Sequence, residues 1–147
     1  MNTYGQIAIR ATESFARGDF RSPNEAWDSA AQFFFPDSPD SREKGCPKGA
    51  YWGLCEIGAI IGIPRGSYTQ SRANKEYALS GLELLIDDPM LSESNPSRIW
   101  RMVMSGSTKK HNSQLNVLLA LWNSGMIGAS EDVKVELRKC VLVTKVI

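Results

Sequence analysis

Apolar residues recur along this chain at intervals of three and four, the spacing that gathers them on one face of a helix. Tyr4, Ile7, Ala8, Ala11 and Phe15 make a first stripe, stopped at Gly18. Ser22-Pro23-Asn24-Glu25 has the form of a capping box with proline in the first turn. Ala26, Trp27, Ala30, Ala31 and Phe34 follow as a second stripe. Pro36 and Pro39 close that helix, because proline has no amide hydrogen and clashes with the preceding turn. Residues 37–47 read as a polar loop.

Pro47 opens a third helix that the pattern carries to about residue 61. Ala50, Tyr51, Trp52, Leu54, Cys55, Ile57, Ile60 and Ile61 make it apolar nearly all round, which is expected of a central, buried helix. Gly49, Gly53 and Gly58 would each weaken it by about 1 kcal/mol relative to alanine, a loss that close approach of neighbouring backbones would offset. Residues 63–70 form a second loop, set by Pro64 and Gly66. Ser71 caps a fourth helix, with Asn74, Tyr77, Ala78, Gly81, Leu82 and Leu85 on one stripe. Asn95-Pro96 starts a fifth with Ile99, Trp100, Val103 and Met104 inward. Asn112 or Ser113 caps a sixth carrying Leu115, Leu118, Leu119, Trp122 and Met126, ended by Gly125 and Gly128. Ser130 starts a seventh with Val133, Leu137, Cys140 and Val141 inward, although the β-branched residues 141–147 also suit an extended tail. The fold class is therefore all-α: a single domain over 1–147, with six or seven short helices around the third.

Three blocks of this chain look like those of a known family. They are Cys46-Pro47-Lys48-Gly49-Ala50-Tyr51-Trp52-Gly53-Leu54-Cys55-Glu56, Tyr68-Thr69-Gln70-Ser71 with Asn74-Lys75-Glu76-Tyr77-Ala78, and Lys110-His111-Asn112-Ser113-Gln114 leading to Ala120-Leu121-Trp122. In this the chain resembles a family of small bacterial proteins catalogued as a domain of unknown function, over roughly residues 4–127. The resemblance implies no activity.

Composition narrows the function classes. Among 147 residues, Lys and Arg number 17 and Asp and Glu 16, a formal charge of +1, which argues against a nucleic-acid partner. No apolar run reaches a membrane span, and the first residues lack the apolar core of an export signal. With three cysteines, a cytoplasmic protein without disulfides is expected.

Candidate chemistry is sparse. Cys46 precedes Pro47 at a helix start, where the dipole favours a thiolate, but a nucleophile needs a base and His111 is the only histidine. No cysteine or histidine spacing matches a metal site, so neither a metal nor another cofactor is expected. Lys48 and Glu56 lie two turns apart on the third helix. They read first as a narrow solvent-facing edge and second, with Tyr51 and with Tyr68, Asn74 and Lys75 from the next loop and helix, as the lining of a groove. Lys110, His111 and Asn112 form a second polar cluster at a helix start, read first as capping and second as an anion site. Residues 56–68 also have the outline of a helix-turn-helix, with 65–70 as the recognition helix. The sequence thus reads best as a non-enzymatic binding protein. Its partner would be a second copy of itself, another protein or a small ligand, and one of four tryptophans would anchor the interface. A helix-turn-helix DNA binder is the first alternative and an enzyme using Cys46 or His111 the second.

Overall fold

The computed structural model describes residues 2–69, 71–104, 111 and 113–146, and the side chains of all of these except 140–146. Helices account for nearly all the regular structure. They are α1 (Thr3–Ala16), α2 (Pro23–Phe34), α3 (Pro39–Arg42), α4 (Gly45–Glu56), α5 (Arg72–Asp87), α6 (Pro96–Met104), α7 (Gln114–Asn123) and α8 (Glu131–Val146), with a 3-10 turn at Pro89–Glu93. The all-α reading holds, and the helices form one compact domain. Among the described residues no helix is long and apolar enough to cross a membrane.

The helices begin where side chains satisfy their free amides. Asn2 accepts from the amides of Tyr4 and Gly5 at the start of α1. Ser22 accepts from Glu25, and Ser71 from Asn74, at the starts of α2 and α5. Glu25 closes only an offset version of the expected capping box, because its carboxylate takes the amide of Arg21 rather than that of the cap residue. Helix ends follow a shared rule. At the close of α4, the Gly58 amide returns to the Cys55 carbonyl and the Ala59 amide to that of Leu54, with Gly58 at φ +75°. Gly18 and Gly125 close α1 and α7 in the same way.

Gly58 therefore corrects the expected third helix. That helix, α4, starts two residues before Pro47 and ends at Glu56, not near residue 61. The glycine counted as a helical weak point is its stop signal. Beyond it, Ile60 makes an antiparallel bridge with Ile127, through bonds from the Ile61 amide to Met126 and from the Gly128 amide to Ala59. Ile61 leaves the core and is 59% exposed. Gly128 serves this bridge rather than the end of α7. The supposed polar loop over 37–47 contains α3 and the first turn of α4. At the other end, α8 takes in residues 141–146, where an extended tail was the other reading.

Two helices share the centre, where one was expected. Along α4, Ala50, Tyr51, Leu54 and Cys55 are fully buried. Along α7, so are Leu115, Val117, Leu118 and Leu121, and α7 packs against α1, α4, α5 and α6. The α4–α5 crossing is close because α4 offers glycine there. A Cβ on Gly49 would stand 2.9 Å from Asn74 Cβ, and one on Gly53 would stand 2.7 Å from Lys75 Cα. The expected compensation for these glycines is thus realised by α5.

Residues 63–69 are neither helix nor strand. The structure therefore removes the recognition helix expected there. Fifteen residues lie between Glu56 and Arg72, where α5 begins, far more than the three- or four-residue turn of a helix-turn-helix. Here this irregular segment is called the strap.

Candidate functional site

A groove of about 500 Å³ opens between α2, the first two turns of α4 and the strap. Gly45, Lys48, Gly49 and Trp52 form its α4 wall, an i, i+3, i+4, i+7 stripe on one helix face. Tyr68, Thr69 and Ser71 form the opposite wall, and Asn24 closes one end from the first turn of α2. The volume lies within the range of small-molecule sites.

The strap is irregular backbone, so its polar groups need partners outside a ladder. Glu56, which continues the α4 stripe, supplies most of them. One carboxylate oxygen accepts from the amides of Tyr68 and Thr69, each at 2.7 Å, and the other from Lys75 Nζ at 2.8 Å. Burial raises the Glu56 carboxyl, but Lys75 and the two amides outweigh burial and hold it below the ordinary glutamate value. Asn24 Nδ2 donates to the Tyr68 carbonyl at 2.9 Å, and the Tyr68 hydroxyl donates back to the Pro64 carbonyl at 2.7 Å. The Tyr68 ring lies where a Cβ on Gly66 would stand, 2.7 Å away. The far leg of the strap is tied to α8 by an ion pair between Arg65 and Glu136 at 2.7 Å.

Lys48 is the cation of the groove. Its ammonium pairs with Glu43 at 3.0 Å and lies over the Trp52 ring, 5.4 Å from the centroid. Burial raises the Asp28 carboxyl, an effect that Lys48 opposes and Glu43 reinforces. The indole N–H of Trp52 is buried and has no hydrogen-bond partner among the described residues.

The residues expected to share one surface separate into three sets. Lys48 and Tyr68 line the groove. Glu56, Lys75 and Asn74 hold its walls from behind. Asn74 donates to Ser71 Oγ at 2.8 Å and to the Gly45 carbonyl at 3.4 Å, and it accepts from Gln114 Nε2 at 3.2 Å. Cys46 is half-buried in the first turn of α4, beside the lining stripe but outside it. The remaining residues lie elsewhere. Tyr51 is no groove residue: it is fully buried, its ring on Trp27 and its hydroxyl 2.9 Å from Thr12 Oγ1. Burial pushes its phenol well above the usual range.

His111 belongs to α7 rather than to the groove. Its Nε2 accepts from the Leu115 amide at 3.1 Å, and its ring rests on Trp100 at 5.2 Å. An accepting nitrogen carries no hydrogen, so the neutral ring is protonated on Nδ1. Burial lowers the His111 pKa and favours that neutral form. Ser113, one of the two expected caps, stands at the N-cap position with φ 68° and makes no side-chain cap bond; the His111 ring takes an amide of the first turn instead. Lys110 and Asn112 lie outside the described residues.

Sequence reasoning missed Asn24, Gly45, Gly49, Trp52, Thr69 and Ser71 as lining. For the α4 residues a signal existed, since they share a stripe with Lys48. From its apolar neighbours Trp52 reads as a core residue. Asn24 carried no signal, because its role depends on a strap 44 residues away. Among the described residues no group of three or more His, Cys, Asp or Glu side chains could hold a metal ion.

Comparison with known proteins adds one identification. No curated protein and no solved structure matches the chain. A family model does match, over residues 1–128, which takes in α1 to α7, the strap and the whole groove and stops short of α8. The chain belongs to that family, described as "Family of unknown function (DUF6979)".

Proposed function

We propose that this protein is a non-enzymatic binding domain whose working site is the groove between α2, α4 and the strap. The observation that carries this reading is the construction of the strap. A half-buried carboxylate, an ammonium group and an asparagine amide are committed to holding an irregular segment open against a helix face. Filling the same space with apolar side chains would stabilise the domain more simply. The retained opening is of small-molecule size, with two aromatic rings, a cation and hydroxyls on its walls. The one histidine supports a binding role over a catalytic one, because its accepting nitrogen is spent on the α7 amide.

The test is a fragment library titrated into isotopically labelled protein and followed by amide and indole chemical shifts. Bound fragments are expected to move Asn24, Gly49, Thr69 and the Trp52 indole together. Fragments that bind only elsewhere, or a library in which none binds, would overturn the reading.

A further inference from the structure

We infer that the groove selects small organic oxyanions, a carboxylate or phosphate group on an apolar body; this rests on the groove being the binding site. The inference follows from which hydrogen-bonding groups of the lining are already spent. Ser71 Oγ accepts from the Asn74 amide at 3.4 Å and from Asn74 Nδ2 at 2.8 Å. Both its lone pairs are in use, so what remains is the hydroxyl proton. Thr69 Oγ1 accepts from the Ser71 amide at 3.0 Å. Neither hydroxyl donates to a described residue. The Trp52 indole N–H, which can only donate, is buried without a partner. Lys48 has three ammonium hydrogens, with Glu43 its ion-pair partner.

Two carbonyl acceptors of the lining are already used. The Tyr68 carbonyl takes Asn24 Nδ2, and the Gly45 carbonyl takes Asn74 Nδ2. A site with a cation and hydroxyl hydrogens to spare fits a ligand rich in acceptors, and a charged acceptor gains most from it. Two carboxylates oppose this near Lys48. Glu43 is 71% exposed, so an incoming anion exchanges with it at little cost. Asp28 is exposed on α2, and burial of part of its surface already disfavours its charged form. The rings of Trp52 and Tyr68 supply the apolar face for the body of the ligand.

Three matched probes test the inference: benzoate, phenyl phosphate and the neutral benzamide, each titrated at about 0.1 M salt with the Trp52 indole resonance as readout. At least one of the two anions is expected to bind about tenfold or more tightly than benzamide, and their order tells carboxylate from phosphate. Lys48→Gln is expected to reduce that anion to the affinity of benzamide, with an amide spectrum that shows the fold intact. Should that variant not fold, Trp52→Phe removes the indole donor together with part of the ring and, with the Thr69 amide as readout, is expected to weaken the anion more than benzamide. Equal binding of all three probes in the groove would overturn the anion preference and leave the groove reading standing. If no probe moves any groove residue, while fragments of other chemistry do, the anion inference alone falls. If nothing at all binds there, both fall.

Discussion

At the residue scale, glycine is used in this chain in two distinct ways, and mutation separates them. Gly125 ends α7 at φ +73°, and a Cβ there would meet nothing within 4 Å. Alanine at that position carries only the conformational penalty of the left-handed region, about 1 kcal/mol. Gly58 ends α4 at φ +75°, but its added Cβ would stand 2.7 Å from Arg65 Cγ. That atom is in the stem of the side chain that reaches Glu136, so Arg65 must shift and its ion pair with α8 weakens. Gly58→Ala is expected to lose more stability than Gly125→Ala in denaturant melts, and Glu136→Gln is expected to narrow the difference. Equal losses in the two alanine variants would show that Arg65 yields freely and that the strap is not anchored through it. Neither role is visible in composition, where a glycine inside an apolar run simply looks like a helix with a weak point.

At the element scale, what the sequence revealed is what depends on near neighbours. The stripes of α1, α2, α5, α6 and α7 were legible because helical burial repeats every three or four residues. Ser22 and Ser71 were legible as caps because a cap lies three residues from its target. The strap was legible only as a loop. Its shape is set by Glu56 from 12 and 13 residues away, by Asn24 from 44 and by Glu136 from α8, and no local pattern encodes those distances. The groove was half legible for the same reason: Lys48 and Tyr68 could be named, but their opposition across an opening could not. Tyr51 went astray because a tyrosine beside a charged residue looks amphipathic, when its hydroxyl needs only one buried partner, here Thr12. The reading of α4 as a core helix is tested by Leu54→Ala. Leu54 is fully buried on the face of α4 that meets the core, and its loss is expected to remove about 2–5 kcal/mol of unfolding free energy. A change within about 0.5 kcal/mol, the usual size for surface positions, would mean that α4 is peripheral.

At the scale of the whole molecule, the same two contacts that define the α7 start and the strap give the fold a stepped response to acid. His111 caps α7 only as the neutral ring, since protonation removes the lone pair that the Leu115 amide uses. It also puts positive charge at the positive end of the helix. Burial lowers the His111 pKa in the folded state, so the unfolded chain takes up its proton first. The cap's contribution is complete above the unfolded value of about 6.5 and is lost as pH falls from there through the lower folded value. Glu56 acts in a second, more acid window. Its folded pKa lies below the ordinary glutamate value of about 4.3, because Lys75 and the Tyr68 and Thr69 amides favour the carboxylate against the effect of burial. Its contribution is present above that value and is lost as pH falls through the folded one. Glu43 and Glu136 are lowered as well and act in the same direction, while exposed Asp28 is raised and opposes them weakly. Denaturant midpoints measured from about pH 8 down to about pH 3 are expected to fall in two separated stages. His111→Gln is expected to abolish the upper stage and leave the lower one, because glutamine does not titrate. Glu56→Gln is expected to do the reverse: it keeps an acceptor for the strap amides but has no charge for Lys75. In the Glu56 variant the Tyr68 and Thr69 amides should also exchange faster with solvent already at neutral pH. An upper stage that survives His111→Gln would remove histidine from the α7 cap, and a lower stage unchanged in Glu56→Gln would remove Glu56 as the group that ties the strap to the rest of the fold.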